Sequence, residues 1–182
     1  MLAALTATLV AGSEDQYAAE GRVPITGPTT IQSRGSYVVT RNISGTGPLL
    51  VLAADGIDVD LNGFTLEETS LTHSVIAVAG VKRSAVHDGT LVGGFNGVSL
   101  SGAHNSRLTN LTVLSSAQDG ISIVGTHDFA IVGCRIDDSG HRGISVASQQ
   151  ERGFGLIVGN TIRRSLFEAI LLTDLVAGVI ES

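Results

Sequence analysis

The densest run of chemically able side chains in this chain is "CRIDDSGHRGISV" at residues 134–146. It holds two carboxylates (Asp137 and Asp138), an imidazole (His141) and a guanidinium (Arg142). Carboxylates and imidazoles transfer protons in transition states, and a guanidinium stabilises developing negative charge. If the loop is catalytic, Asp138 is the acid or base and His141 its partner, with Asp137 and Arg142 beside them. The same residue types also make an ordinary polar turn. In the run "VKRSAVHDG" at 81–89, Lys82 and Arg83 suit an anionic ligand, and the orientation of His87 is open. A third group is His104-Asn105 and His127-Asp128, at matching positions 23 residues apart. Two imidazoles and a carboxylate form a metal-ligand set. Two similar turns would also produce them by repetition alone, so no metal site is assigned.

These groups must be positioned by something periodic. "GISI" at 120–123 returns as "GISV" at 143–146. Along the chain the first branched position reads Leu50, Ile76, Val98, Ile121, Ile144, Ile170, and two residues on it reads Leu52, Val78, Leu100, Ile123, Val146, Leu172. Strand alternation points both positions into a core. The residue between them points out: Val51, Ala77, Ser99, Ser122, Ser145, Leu171. A second register holds Gly63, Asp88, Asn110, Gly133 and Gly159, the types that tolerate a left-handed backbone. Each repeat is therefore a strand, a tight bend, a second strand, a loop and a "GIxV" strand. One such unit cannot bury its apolar face; stacked units can. The expected fold is all-β: a right-handed parallel β-helix, or solenoid, of about six coils, because parallel crossovers are right-handed.

"GSYVVTRNIS", "GIDVDLNGFTL", "GISIVGTHDFAIVGCRI" and "GISV" together resemble the right-handed parallel β-helix repeat proteins of the pectate-lyase-like superfamily, over roughly residues 23–180. That superfamily includes pectate lyases, polygalacturonases and alginate epimerases, and its fold hosts many activities. The resemblance implies a polysaccharide partner lying along the GIxV sheet. Residues 134–146 depart from the polygalacturonase pattern, where the Asp pair and the Gly-His-Gly motif lie on separate coils. Ser99, Ser122 and Ser145 would be the floor. The residue before the Gly position, running His73, Asn96, Asp119, Arg142, Glu168, would be a polar wall, with Lys82 and Arg83 as further ligand contacts. The wall would otherwise be a solvated ladder with Asp119–Arg142 and Arg142–Glu168 ion pairs. The floor has no carboxylate, Lys or Arg, so a polysaccharide-binding module is favoured. The alternatives are a lyase, hydrolase or epimerase using the Asp137–Arg142 loop, and a structural or adhesive scaffold. No cofactor is expected, with Ca²⁺ entering only if the chain is lyase-like. The superfamily and an apolar start suit an extracellular or periplasmic location.

Bulk composition agrees. The chain has 182 residues, 23 Gly, no Trp and a formal net charge of −6, with no basic run that would bind nucleic acid. Cys134 is the single cysteine, so no intrachain disulfide forms; it sits where Phe64 and Leu111 follow the bend, a core position. Phe64, Phe129 and Phe154 are expected in or near the core. Residues 1–22 form a separate N-terminal segment: "MLAALTATLVAG" is like the tail of a signal and too short to span a bilayer, and "SEDQYAAEG" suits a short helical cap. Residues 23–182 form the β-helix. Its apolar end, "LLTDLVAGVIES", suits a homo-oligomer contact or further coils beyond the C-terminus.

Overall fold

The computed structural model describes residues 16–17, 20–147, 154–173 and 177–181. The chain winds into a parallel β-solenoid of about six turns with two sheet walls. One wall is the GIxV sheet, with strands Thr29–Ile31, Leu50–Leu52, Ile76–Ala79, Val98–Ser101, Ile121–Val124, Ile144–Ala147 and Ile170–Thr173. The other is a 12-stranded sheet built from the strands on either side of the bend. Two of these, Ala85–Gly93 and Arg107–Leu114, run through the bend without a break.

The stacking follows the sequence register. Leu50 pairs with Ile76, Ile76 with Val98, Val98 with Ile121, Ile121 with Ile144, and Ile144 with Ile170. From Leu50 to Ile144 this ladder is fully buried. Each such side chain contributes roughly 1.5–3 kcal/mol relative to exposure, which explains why one branched residue per coil is kept at this position.

All five bend residues are left-handed: Gly63 (φ 76°), Asp88 (58°), Asn110 (51°), Gly133 (63°) and Gly159 (64°). Leu71, Arg83, Ser115 and Arg164 are left-handed too, with φ between 52° and 60°. Their residue types do not favour it. Coil-to-coil bonding imposes it: the Arg83 amide donates to His104 O at 2.9 Å and the Ser115 amide to Asp137 O at 3.0 Å.

The glycine that opens three consecutive GIxV strands has a different cause. Gly97, Gly120 and Gly143 are not left-handed. A Cβ on Gly120 would collide with Ile136 Cγ2 and lie 2.7 Å from Gly143 O; Gly97 and Gly143 meet Val113 and Ile162 in the same way. The strand enters too close to the branched residue of the second strand to carry a side chain.

The expected N-terminal helix falls largely outside the described residues, as does all of the apolar segment 1–12. Within them, the Glu20 amide donates to Gln16 O at 3.2 Å. No helix among the described residues is long and apolar enough to cross a membrane.

Candidate functional site

The structure separates the residues of the 137–142 loop. Asp137 is buried, 1 % exposed, with Arg135 at 3.0 Å and Arg164 at 2.8 Å. Asp138 is exposed and takes a bidentate pair of contacts from Arg164 at 2.6 and 3.0 Å. That hydrogen bonding, with the nearby charge, holds the Asp138 carboxyl below the usual value. Asp138 is thus kept ionised by an arginine, and His141 is not its partner. His141 Nδ1 instead lies 2.9 Å from Asp119 Oδ1. Both Asp138 and Asp119 are within two coils of His141, but the coil-to-coil register brings only Asp119 to the imidazole. Arg142 Nη1 also lies 3.1 Å from Nδ1, so this edge of the imidazole faces both a carboxylate and a guanidinium. Phe167 packs edge-on against the imidazole, ring centres 4.7 Å apart.

The wall column exists, with one correction. Ile76 pairs with Val98, so Ser74, not His73, stands in line with Asn96; Asn96 Nδ2 is 3.4 Å from Ser74 Oγ. Asn96 and Asp119 are buried, 8 % and 9 % exposed. Asn96 Oδ1 accepts the Asp119 amide and Asp119 Oδ1 accepts the Arg142 amide, each at 3.1 Å. Asp119 therefore meets the backbone of Arg142, while the Arg142 guanidinium turns to Glu168 at 2.9 Å. Backbone hydrogen bonding and then Arg142 hold the Glu168 carboxyl below its usual value. These two inner members knit coils together before they can reach a ligand.

The floor is as expected. Ser99, Ser122 and Ser145 pair in register and are half-buried. Ala77 and Leu171 extend the column on either side. Lys82 and Arg83 are exposed but lie past the C-terminal end of the Ile76–Ala79 strand, at the opposite edge of the sheet from His141. The Lys82 amide donates to Asp55 Oδ1 at 2.8 Å, and Lys82 bridges to His104. His104 and His127 stack face to face, centroids 3.7 Å apart at 14°. Burial first, then the charges of His127 and Lys82, lower the His104 pKa. His127 Nδ1 is 2.9 Å from Asp128.

Three features had no reading in the sequence. The first is a stripe one residue before the wall. Backbone bonds stack His73, Phe95, Gln118, His141 and Phe167, one per coil: Phe95 N to His73 O at 2.7 Å, Gln118 N to Phe95 O at 2.7 Å, His141 N to Gln118 O at 3.0 Å, Phe167 N to His141 O at 2.8 Å. Phe95 is 44 % exposed and Phe167 58 %. Their exposure on a turn that precedes a buried strand was visible only as two unassigned phenylalanines. The second is Glu68, 1 % exposed. It accepts the amides of Gly47 and Ser70 at 3.0 Å and of Leu71 at 2.7 Å, with the Ser70 hydroxyl alongside. Burial alone would raise its pKa; the Ser70 hydroxyl and these three amides bring it below the usual carboxylate value. The third is an open cleft of about 310 Å³ on the 12-stranded sheet, lined by Arg107, Asp128, Phe154 and Leu156 among others. Phe154 is 46 % exposed there, not a core residue; Phe129 is buried and Phe64 packs against the core. Cys134 is buried as expected, and burial pushes its thiol up to about 11.

No curated protein and no solved structure matched the chain. A family model did: the right handed beta helix region, over residues 31–177. With its parallel coils, in-register apolar ladders and left-handed bends, the chain belongs to the right-handed β-helix family.

Proposed function

We propose that this β-helix is a polysaccharide-binding module, outside the cell or in the periplasm. It holds its ligand along the GIxV sheet and the stripe that borders it. The observation that carries the reading is that stripe: His73, Phe95, Gln118, His141 and Phe167 present ring and amide side chains one per coil. Successive coils are about 4.8 Å apart, so the stripe is a regular track suited to a polymer. Exposed aromatic faces supply contact area at low entropic cost, and amide and imidazole groups supply hydrogen bonds. The floor, four residues further along each coil, carries small Ser and Ala side chains that leave room for an extended chain.

A second reading, proton-transfer chemistry on the same track, is favoured by the His141–Asp119 pair at 2.9 Å. In it His141, not Asp138, is the base, and buried Asp119 is its orienting partner. The supporting physics is that an imidazole fixed by a carboxylate keeps one nitrogen basic and aimed outward.

The test is affinity electrophoresis and calorimetry against pectate, alginate, hyaluronan and neutral glycans, with and without Ca²⁺. Binding to one class, weakened about tenfold or more in Phe95→Ala and Phe167→Ala, supports the module. Binding that ignores both substitutions, or none across the panel, overturns it. The same panel read at 235 nm and by reducing ends decides the second reading: turnover abolished in His141→Ala supports it, and no turnover rejects it.

A further inference from the structure

The 12-stranded sheet carries a second constellation on its outer face, away from the GIxV sheet. Asp60 ends the strand Ile57–Asp60, and His87 lies beside it in register on the next coil. Asp88 follows His87 at the left-handed bend. His87 Nδ1 is 2.8 Å from Asp88 Oδ2 and 3.9 Å from Asp60 Oδ1, and one donor atom from each of the three lies within 4.8 Å of the others. Asp58 stands apart from this set on the other side of the ring, its Oδ1 3.4 Å from His87 Nε2.

We propose that Asp60, His87 and Asp88 bind a divalent transition-metal ion of the Zn²⁺ class. Three features distinguish the set from a patch of surface acids. It contains an imidazole, which with carboxylates suits borderline ions and discriminates against Ca²⁺ and Mg²⁺, which prefer all-oxygen ligands. The imidazole has the outer partner that metal-bound histidines use: with Nδ1 on the ion, the proton moves to Nε2 and faces Asp58. Both carboxylates are also held in place by neighbours, Asp60 through each of its oxygens. Asn110 Nδ2 donates to Asp88 Oδ1 at 3.1 Å and leaves Oδ2 toward the ring; the Asn62 amide and Arg22 hold Asp60 at 2.7 and 2.9 Å.

Charge points the same way. Three carboxylates surround the His87 ring, and Arg22 is the one Lys or Arg side chain paired with them among the described residues. The carboxylates outnumber that arginine three to one, an excess that a divalent cation offsets. With three protein ligands the coordination sphere stays open to water or to an oxygen of a ligand. The bend itself explains why Asp88 is left-handed but not why a histidine precedes it with two further aspartates opposite.

Calorimetric titration of the whole chain with Zn²⁺, Ca²⁺ and Mg²⁺ near neutral pH tests this. The expected result is one Zn²⁺ site that excess Mg²⁺ does not displace. His87→Ala should remove it. Asp88→Asn should weaken it at least tenfold while keeping the bend, since Asn110 occupies the equivalent position in the next coil. Asp58→Asn should weaken it about 10–100-fold as an outer-partner change. A His104→Ala/His127→Ala variant should bind as the parent does. Absence of Zn²⁺ binding in the millimolar range, equal binding of Ca²⁺, or unchanged binding in folded His87→Ala and Asp88→Asn would each overturn the site.

Discussion

Replacing Gly120 by alanine isolates the reason for the glycine that opens the GIxV strands of the three central coils. The new methyl would overlap Ile136 Cγ2 and sit 2.7 Å from Gly143 O and 3.1 Å from Ser139 Oγ. Ile136 can turn, but the Gly143 carbonyl is fixed because it accepts the Ile121 amide at 3.0 Å. Overpacking a tight core costs about 1–3 kcal/mol. Against this, losing a glycine from the unfolded chain stabilises by about 0.4–1 kcal/mol where the backbone is compatible, as it is here. The immovable carbonyl puts the clash at the upper end, so Gly120→Ala should lose about 2 kcal/mol. At roughly 2–4 °C per kcal/mol for a chain of this size, that lowers the midpoint by about 4–8 °C. Thermal and urea unfolding by far-UV circular dichroism measure it. Two glycines serve as controls. Gly27 has nothing within 4 Å and no left-handed φ, so Gly27→Ala should lose nothing. Gly125 also has open space but φ +56°, so Gly125→Ala should lose about 1–2 kcal/mol through strain alone. A Gly120→Ala protein that melts with the parent, or a Gly27→Ala protein that loses as much, would refute the close-approach argument.

Three further outcomes follow from buried and paired groups. Glu68→Gln removes the charge that three amides and a hydroxyl serve, and should destabilise by about 1–3 kcal/mol. Because its folded pKa is depressed, the stability it gives the parent is present above the usual Glu value and lost as pH falls through the folded one; urea-unfolding free energies should therefore fall less steeply across that pH window in the variant than in the parent. Cys134, with its thiol near 11, should not react with a thiol-exchange reagent at pH 8 until urea unfolds the chain; rapid native labelling would contradict its burial. His104 should titrate below 6.5 by NMR, chiefly from burial. Its unfolded form then takes up a proton first as pH falls, so stability drops in that window, and His127→Ala should shift the His104 titration part of the way up.

The ladders and the bend were legible because each rests on a local rule. Period two decides which of Ile121, Ser122 and Ile123 faces inward, and only left-handed tolerance unites Gly63, Asp88 and Asn110. Leu71, Arg83, Ser115 and Arg164 break that second rule. For Arg83 and Ser115 the amide bonds to the next coil, 21 and 22 residues on, and for Leu71 it bonds to buried Glu68; no local preference encodes these partners. The same long-range origin hid the partner of His141. Within the loop, Asp138 is three residues away and the obvious choice, but the imidazole bonds to Asp119, one coil earlier. His73 was displaced by one position because Val75 stands where later coils have glycine, so the marker used to count the register is missing there.

Columns that hold the fold and columns free for function differ in how much their residues vary. The inward positions admit only Leu, Ile and Val, and the bend only Gly, Asp and Asn, because each coil poses the same packing or backbone problem. The wall starts to vary, yet Asn96 and Asp119 share one task, accepting the next coil's amide, and this task accounts for their burial. The stripe has no such shared task. His73, Phe95, Gln118, His141 and Phe167 hydrogen-bond to one another through backbone, and the one ring contact along the stripe is Phe167 against His141, so no hydrogen bond demands a ring at Phe95. Both rings stay largely in water, Phe95 at 44 % and Phe167 at 58 % exposure, and a ligand that covers them would supply the missing burial. The argument is the same on the opposite sheet. The register column runs Val38, Asp60, His87, Thr109, Val132, Val158 and Glu181, and only Asp60 and His87 are neighbouring members that can both hold an ion. In a solenoid, where neighbouring coils repeat the same structural demands, a departure from the column's habit is the position to test first.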